Sequence, residues 1–188
     1  MSRDELSLFS YEILGLAGRS GAGAYDLLRM ARRGRILDWA GESQYYVEPK
    51  RLARLGYLDA RREPGVTRER TVYTLTEAGL EALREYAATP ARVSPVKSDA
   101  LLRLLIADLV GEAPTRASLD ALRDDVADLL GRIEETEASA RALPHRAKYL
   151  LIVTGFLRGL LDLHLELVDR VDAELATEPE EGGQAAAT

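Results

Sequence analysis

The chain contains no cysteine. Disulfide frameworks, thiolate metal sites and cysteine nucleophiles are therefore excluded. Histidine is scarce as well. Two residues cannot build a multi-histidine metal centre, although carboxylates remain available to a hard cation. Aromatic residues are only 6% of the 188 positions, and leucine and alanine dominate instead, which favours helices over sheets. The opening residues, MSRDELSLF, lack the basic-then-apolar pattern of a signal peptide, so a cytoplasmic protein is expected. In the apolar stretch 149–171, Arg158, Asp162, Glu166 and Asp169 are each costly in a bilayer core, so no membrane span is expected. There is no G-x-x-x-x-G-K-[ST] loop and no H-E-x-x-H. The glycines at 15, 18, 21 and 23 do not form G-x-G-x-x-G, and they follow a helical pattern rather than a strand. A Ser139, His145 and Asp162 set can be drawn on paper, but nothing positions a strained nucleophile turn. Neither an enzyme nor a resident cofactor or metal is expected.

What is present is 46% hydrophobic and 30% charged, as in a globular chain of one large or two small domains. The net charge of −6 is unevenly spread. Residues 1–90 carry 14 Lys+Arg and 13 Asp+Glu, whereas residues 91–188 carry 11 and 18. From Arg29 to Arg70 there are 11 basic and 6 acidic residues, a basic island that points to contact with a polyanion. The stretch Thr89 to Pro95 holds two prolines and interrupts helical patterns on both sides. It divides the chain into domain 1–90, a linker 91–97 and a second domain 98–176. Residues 177–188 have no large apolar side chain and are predicted to be disordered.

In the first domain, Leu6, Phe9, Ile13, Leu16 and Ala17 predict an amphipathic helix from about Asp4 to Gly18. Tyr25, Leu27, Leu28, Ala31, Ile36 and Leu37 predict a second helix, and a third starts with Ser43 as N-cap and ends at Gly56. Residues 57–62 and 70–75 have strand composition and flank a polar Pro-Gly tip, which predicts a β-hairpin. A fourth helix opens at Thr76-Glu77-Ala78-Gly79 and runs to about Ala87. Three helices, a hairpin and a closing helix are the order of a winged helix.

Stepped at 100° per residue, the third helix turns Tyr45, Pro49, Leu52, Leu55 and Gly56 inward. Gln44, Tyr46, Val47, Lys50, Arg51 and Arg54 turn outward. An amide, a phenol and three cations suit base edges and phosphates in a major groove, and a solvated cationic face is the competing reading. The hairpin adds Arg61, Arg62, Arg68 and Arg70, a second basic element that suits groove and backbone contact together. With Ser43, the residues Gln44, Tyr46, Lys50, Arg51, Arg54, Arg68 and Arg70 are the candidate DNA contacts.

These segments resemble the PadR-type winged-helix transcriptional regulators. The resemblance is carried by Leu8-Phe9-Ser10-Tyr11-Glu12-Ile13-Leu14-Gly15-Leu16, by Gly23-Ala24-Tyr25-Asp26-Leu27-Leu28, by Tyr46-x-x-Pro49-x-x-Leu52-x-x-x-Gly56-Tyr57-Leu58 and by Tyr73-Thr74-Leu75-Thr76-Glu77-Ala78-Gly79. Pro95-Val96-Lys97-Ser98-Asp99 and the helices after it resemble that family's C-terminal extension, so the likeness spans roughly 5–175. It implies a mainly helical fold, a winged helix plus a helical dimerisation domain. It also implies a homodimer that represses from a palindromic operator and is released by a small aromatic or amphipathic effector. Tyr46 would meet a phosphate, Lys50 and Arg51 the groove or backbone, and Arg68 and Arg70 the wing contacts. Pro49 departs from the aliphatic residue usual there. Either the recognition helix begins near Glu48, or it starts at Ser43 and bends.

In the second domain, Leu119, Leu122, Val126, Leu129, Ile133, Thr136, Ala140 and Leu143 recur at alternating spacings of 3 and 4, a coiled-coil-like seam. Pro144 breaks the chain. From Tyr149, a last helix carries one stripe of Tyr149, Val153, Phe156, Leu160, Leu163, Leu167, Val171 and Leu175, and a second of Leu150, Leu157, Leu161, His164 and Val168. Two stripes imply two partners, the 119–143 helix and a second chain. The apolar segment Ser98 to Val110 is expected to join them. Candidate dimerisation residues are therefore Leu119, Leu122, Val126, Leu129, Ile133, Phe156, Leu160, Leu163, Leu167 and Val171. Trp39, Tyr149 and Phe156 could line an effector pocket, with packing as the competing role, and His164 reads as a packed residue or a pH-sensitive contact. A protein-docking module and a ligand sensor that binds no DNA are the alternative functions.

Overall fold

The computed structural model describes residues 6–32, 40–64, 69–141 and 144–175, and the chain divides into two compact units, Met1–Val93 and Ser94–Thr188. Ile36, Leu37, Trp39, Arg68, Leu143 and the tail from 177 lie outside the described residues.

In the first unit, α1 (Leu8–Ala17) opens on a reciprocal cap. Ser7 Oγ accepts the Ser10 N–H at 3.2 Å, and Ser10 Oγ accepts the Ser7 N–H at 2.9 Å. Its buried face holds Phe9, Ile13 and Ala17, as the spacing predicts, with Leu14 fully buried beside them. A two-residue strand β1 (Ala22–Gly23) leads into α2 (Ala24–Arg32), which buries Leu27 and Leu28. Tyr25 belongs to the predicted apolar set yet is exposed, because a two-residue step of 200° carries it across the helix from Leu27.

Helix α3 (Gln44–Arg54) continues unbroken across Pro49, so Gln44 and Tyr45 form its first turn rather than a preceding loop. Ser43 occupies the N-cap position, but its backbone is helical and its side chain makes no capping hydrogen bond, which corrects its expected role. The start is held instead by Gln44, Tyr45 and Tyr46 N–H groups donating to Gly41, Glu42 and Ser43 carbonyls at 3.0–3.1 Å. β2 (Leu58–Glu63) and β3 (Arg70–Leu75) form the predicted antiparallel hairpin, in register from Leu58 opposite Leu75 to Glu63 opposite Arg70. The sheet order is β1-β3-β2, since Ala22 and Gly23 pair with Tyr73 and Val72. Helix α4 (Glu77–Ala87) closes the unit.

One joint fixes the hairpin to the helices. Gly56 has φ +82°, and the Gly56 and Tyr57 N–H groups donate back to Ala53 and Leu52 at 3.1 and 3.0 Å, a helix end that needs a left-handed residue. The freed Gly56 and Tyr57 carbonyls accept from the Thr76 hydroxyl at 2.7 and 3.0 Å. The same hydroxyl caps α4 by accepting the Gly79 N–H at 3.1 Å. Gly79 is where α4 meets that joint: a Cβ there would collide with the Tyr57 carbonyl and lie 2.8 Å from Leu75 Cδ1.

In the second unit, α5 (Asp99–Leu105), α6 (Ala107–Val110) and α7 (Glu112–Asp120) precede a hairpin of α8 (Leu122–Arg141) and α9 (Pro144–Glu174). The predicted 119–143 helix is therefore broken at Ala121, with Leu119 in α7. Pro144 is the first residue of α9, a position where its missing N–H costs nothing. Arg123 donates to Asp172 at 2.9 Å and pairs with Asp169 at 2.9 Å, while Arg158 meets Glu137 at 3.5 Å, which sets the two helices antiparallel. The α8 seam faces α9 of its own chain. Leu119, Val126, Ile133 and Ala140 are buried, as are Thr154, Leu157, Leu161, Val168 and Val171 on α9. The assignment of Leu119, Val126, Ile133 and Val171 to a contact between copies is thereby corrected, because an intrachain partner already covers them. Leu122, Leu129 and Leu167 are half-buried, and Leu122 and Leu167 pack on Leu119 and Val171. The expectation that segment 98–110 joins this core holds only for Ala100 and half-buried Leu104, while Leu101, Leu102, Leu105 and Leu109 are exposed.

Candidate nucleic-acid interface

Helix α3 presents two faces. Tyr45, Glu48, Pro49 and Leu52 are buried, and Ser43, Gln44, Tyr46, Val47, Lys50 and Arg54 are exposed. Tyr45 seats the first turn on α1, with its ring edge-on to Phe9 at 4.9 Å and its hydroxyl donating to Glu12 at 3.3 Å. The outward face carries the side-chain amide of Gln44, the phenol of Tyr46, the apolar Val47 at 58% exposure and the cations Lys50 and Arg54. Among the described residues neither Lys50 nor Arg54 has an ion-pair partner, so this face carries positive charge that no carboxylate neutralises.

Arg51, expected to be the third outward cation, is turned inward. Its Nε donates to Glu48 Oε2 at 2.8 Å and its Nη2 to Glu48 Oε1 at 2.7 Å, a two-pronged pair. Nη2 also reaches Ser10 Oγ at 3.1 Å, and the Ser10 hydroxyl donates to Glu48 Oε1 at 2.7 Å. Burial alone would raise the Glu48 carboxyl. Hydrogen bonds from Arg51 and Ser10, with the guanidinium charge, outweigh burial and hold the carboxyl below its ordinary value. The sequence offered a signal for this. Glu48 lies 60° from Tyr45 and 40° from Leu52 on the helix, inside the apolar arc.

Among the described residues, the arginines of the hairpin arm are paired with carboxylates. Arg61 pairs with Asp59 at 2.8 Å and Arg62 with Glu69 at 3.9 Å. Arg70 pairs with Asp26 at 3.2 Å and Glu63 at 3.8 Å, tying the second wing strand to α2, where Arg29 shares Asp26 at 3.4 Å. Exposed pairs of this kind contribute about 0–1 kcal/mol each, so an arriving phosphate displaces the carboxylate at small cost. Arg68 lies outside the described residues.

Of the pocket candidates, Tyr149 and Phe156 are largely exposed, Phe156 at 72%; Trp39 is outside the described residues. His164 is half-buried, its Nδ1 2.7 Å from the Leu160 carbonyl. Ser139, His145 and Asp162 are all exposed. Among the described residues no cluster of three or more His, Asp or Glu could hold a metal ion, and no helix is long and apolar enough to cross a membrane.

No protein-family model matches the sequence, and no curated protein matches it. Solved structures do match. PadR of Bacillus subtilis in complex with operator DNA superposes with a TM-score of 0.66 at 21% identity, over 92% of this chain and 98% of that one. The virulence activator AphA of Vibrio cholerae gives 0.64 at 21% identity, over 88% and 96%. Bacillus subtilis PadR in complex with p-coumaric acid gives 0.56 at 21% identity, over 90% and 98%. At that identity the likeness is one of fold: the chain has the PadR-type architecture, a winged helix followed by a helical region.

Proposed function

We propose that the chain is a sequence-specific DNA-binding transcriptional regulator. Residues 1–90 read duplex DNA, residues 98–176 pair two copies on a two-fold operator, and the bound dimer represses in the cytoplasm. The observation that carries this is the outward face of α3, where Gln44, Tyr46, Val47, Lys50 and Arg54 lie exposed with both cations unpaired among the described residues. A helix of that width and chemistry fits a major groove. The shared fold with a PadR solved on operator DNA supports the same reading.

Pairing is supported by α9, which leaves Tyr149, Ile152, Val153, Phe156 and Leu163 exposed along one side while its other side is covered by α8. An apolar stripe of that length marks a protein contact, and a second copy of the helix is its natural complement. With Leu160 half-buried beside them, Phe156 and Leu163 remain the dimerisation residues of the sequence set. A small aromatic effector, seated near Tyr149 and Phe156 of the second unit, is supported by the PadR solved with p-coumaric acid.

The test is a gel-shift on DNA flanking the gene, repeated across a salt series. The logarithm of affinity should fall linearly with the logarithm of salt, by about 0.9 for each phosphate neutralised. The pair Lys50→Glu and Arg54→Glu should abolish binding with the melting temperature unchanged. Binding that ignores both salt and these reversals would leave the winged helix as a docking surface for another protein.

A further inference from the structure

The Ser10 hydroxyl has one proton and two lone-pair directions. Its proton goes to Glu48 Oε1 at 2.7 Å, and it accepts from the Ser7 N–H at 2.9 Å and from Arg51 Nη2 at 3.1 Å. The cap of α1 and the middle of α3 therefore share one atom, and the Glu48 carboxylate closes the loop through both of its oxygens. Glu48 and Arg51 are separated by three residues, so either could have served its own helix from the surface. Instead, both are spent on a contact between helices, in the same turn as Lys50 and one turn before Arg54.

We propose that Arg51 is a positioning residue and not a DNA contact: with Glu48 and the Ser10 hydroxyl it clamps α3 to the first turn of α1. The register of Gln44, Val47, Lys50 and Arg54 on DNA passes through that clamp. The proposal rests on the DNA-binding reading above. A planar guanidinium held by two parallel hydrogen bonds fixes rotation as well as distance, which a lysine in its place would not. Base readout depends on such rotation, whereas attraction to phosphates depends mainly on charge.

The test compares two duplexes, one selected by the unaltered protein from a random library and one of unrelated sequence, each titrated across a salt series. For Arg51→Met the ratio of the two affinities should fall roughly tenfold, the effect of one mismatched base pair. Both salt slopes should stay as they are. Arg51→Lys should fail to restore the ratio. Because Arg51→Met strands a buried carboxylate, the pair Glu48→Gln and Arg51→Met is measured alongside, since it removes both charges together and is expected to keep the fold. It too should lose discrimination at unchanged slope. A slope that drops by about 0.9 on both duplexes would make Arg51 a phosphate contact and overturn the proposal. Unchanged affinities with only a lowered melting temperature would make the network merely structural and overturn it as well. If the unaltered protein binds no duplex at all, the DNA-binding reading fails first and takes the clamp's role with it.

Discussion

Replacing Gly79 with alanine sets two effects of opposite sign against each other. Helix propensity alone predicts a gain of about 1 kcal/mol, since glycine is the poorest non-proline residue in a helix interior. The structure predicts the reverse. The new methyl would run into the Tyr57 carbonyl and lie 2.8 Å from Leu75 Cδ1. That carbonyl cannot retreat freely, because it accepts from the Thr76 N–H at 3.2 Å and the Thr76 hydroxyl at 3.0 Å. Forced overpacking costs about 1–3 kcal/mol, and loosening the cap of α4 costs about 1 kcal/mol more. The net expectation is a loss of about 2 kcal/mol, or about 10 °C in the melting transition of a unit this small. Gly131→Ala in α8 is the control, because a Cβ there meets nothing within 4 Å and only the propensity gain remains. Thermal unfolding followed by circular dichroism reads both. A Gly79→Ala protein as stable as the original would refute the claim that this glycine exists for close approach.

Acid should weaken the first unit through Glu48. Its carboxyl is held below 4.5 when folded, so its contribution is complete above that pH and drains away as the pH falls through the lower folded value. Glu48→Gln, which has no such titration, should lie below the original protein in stability near neutrality and draw level with it in acid, as denaturant melts at a series of pH values would record. In the second unit, Ile152→Glu with Phe156→Glu should turn the proposed dimer into a folded monomer. Losing two apolar side chains per copy that the proposed interface would bury removes at least about 3 kcal/mol, more than a hundredfold in association. Light scattering measures the mass, and an unchanged dimer would move the interface elsewhere.

Much of the winged helix was legible in the sequence, for local reasons. Phe9, Ile13 and Ala17 mark the buried side of α1, Pro64 and Gly65 punctuate the hairpin, and Thr76 with Gly79 announces α4. β1 escaped because two residues carry no periodicity; Ala22 and Gly23 become a strand only when β3 supplies partners. Arg51 escaped because its charge reads as exposure, and Glu48 is assigned to neither face by its residue type although its angle on the helix puts it inside. The spacing of 3 and 4 from Leu119 to Ala140 correctly announced a helix packed on a helix. It could not say whose helix, since a seam looks the same whether its partner lies in the same chain or in another. The break at Ala121 had no signal either, alanine being the best helix former.

The described arginines of the wing, Arg61, Arg62 and Arg70, arrive with their own anions. Where Arg61 holds Asp59 and Arg70 holds Asp26, a passing duplex offers only an exchange of one negative group for another, with little gained. On the proposed DNA-binding reading, a duplex of unrelated sequence would therefore be gripped weakly, chiefly through cations such as Lys50 and Arg54 that have no ion-pair partner among the described residues. On that reading, a molecule with so small a general attraction would leave wrong sequences quickly, and the time it spent at any address would be decided by how well the groove fits α3.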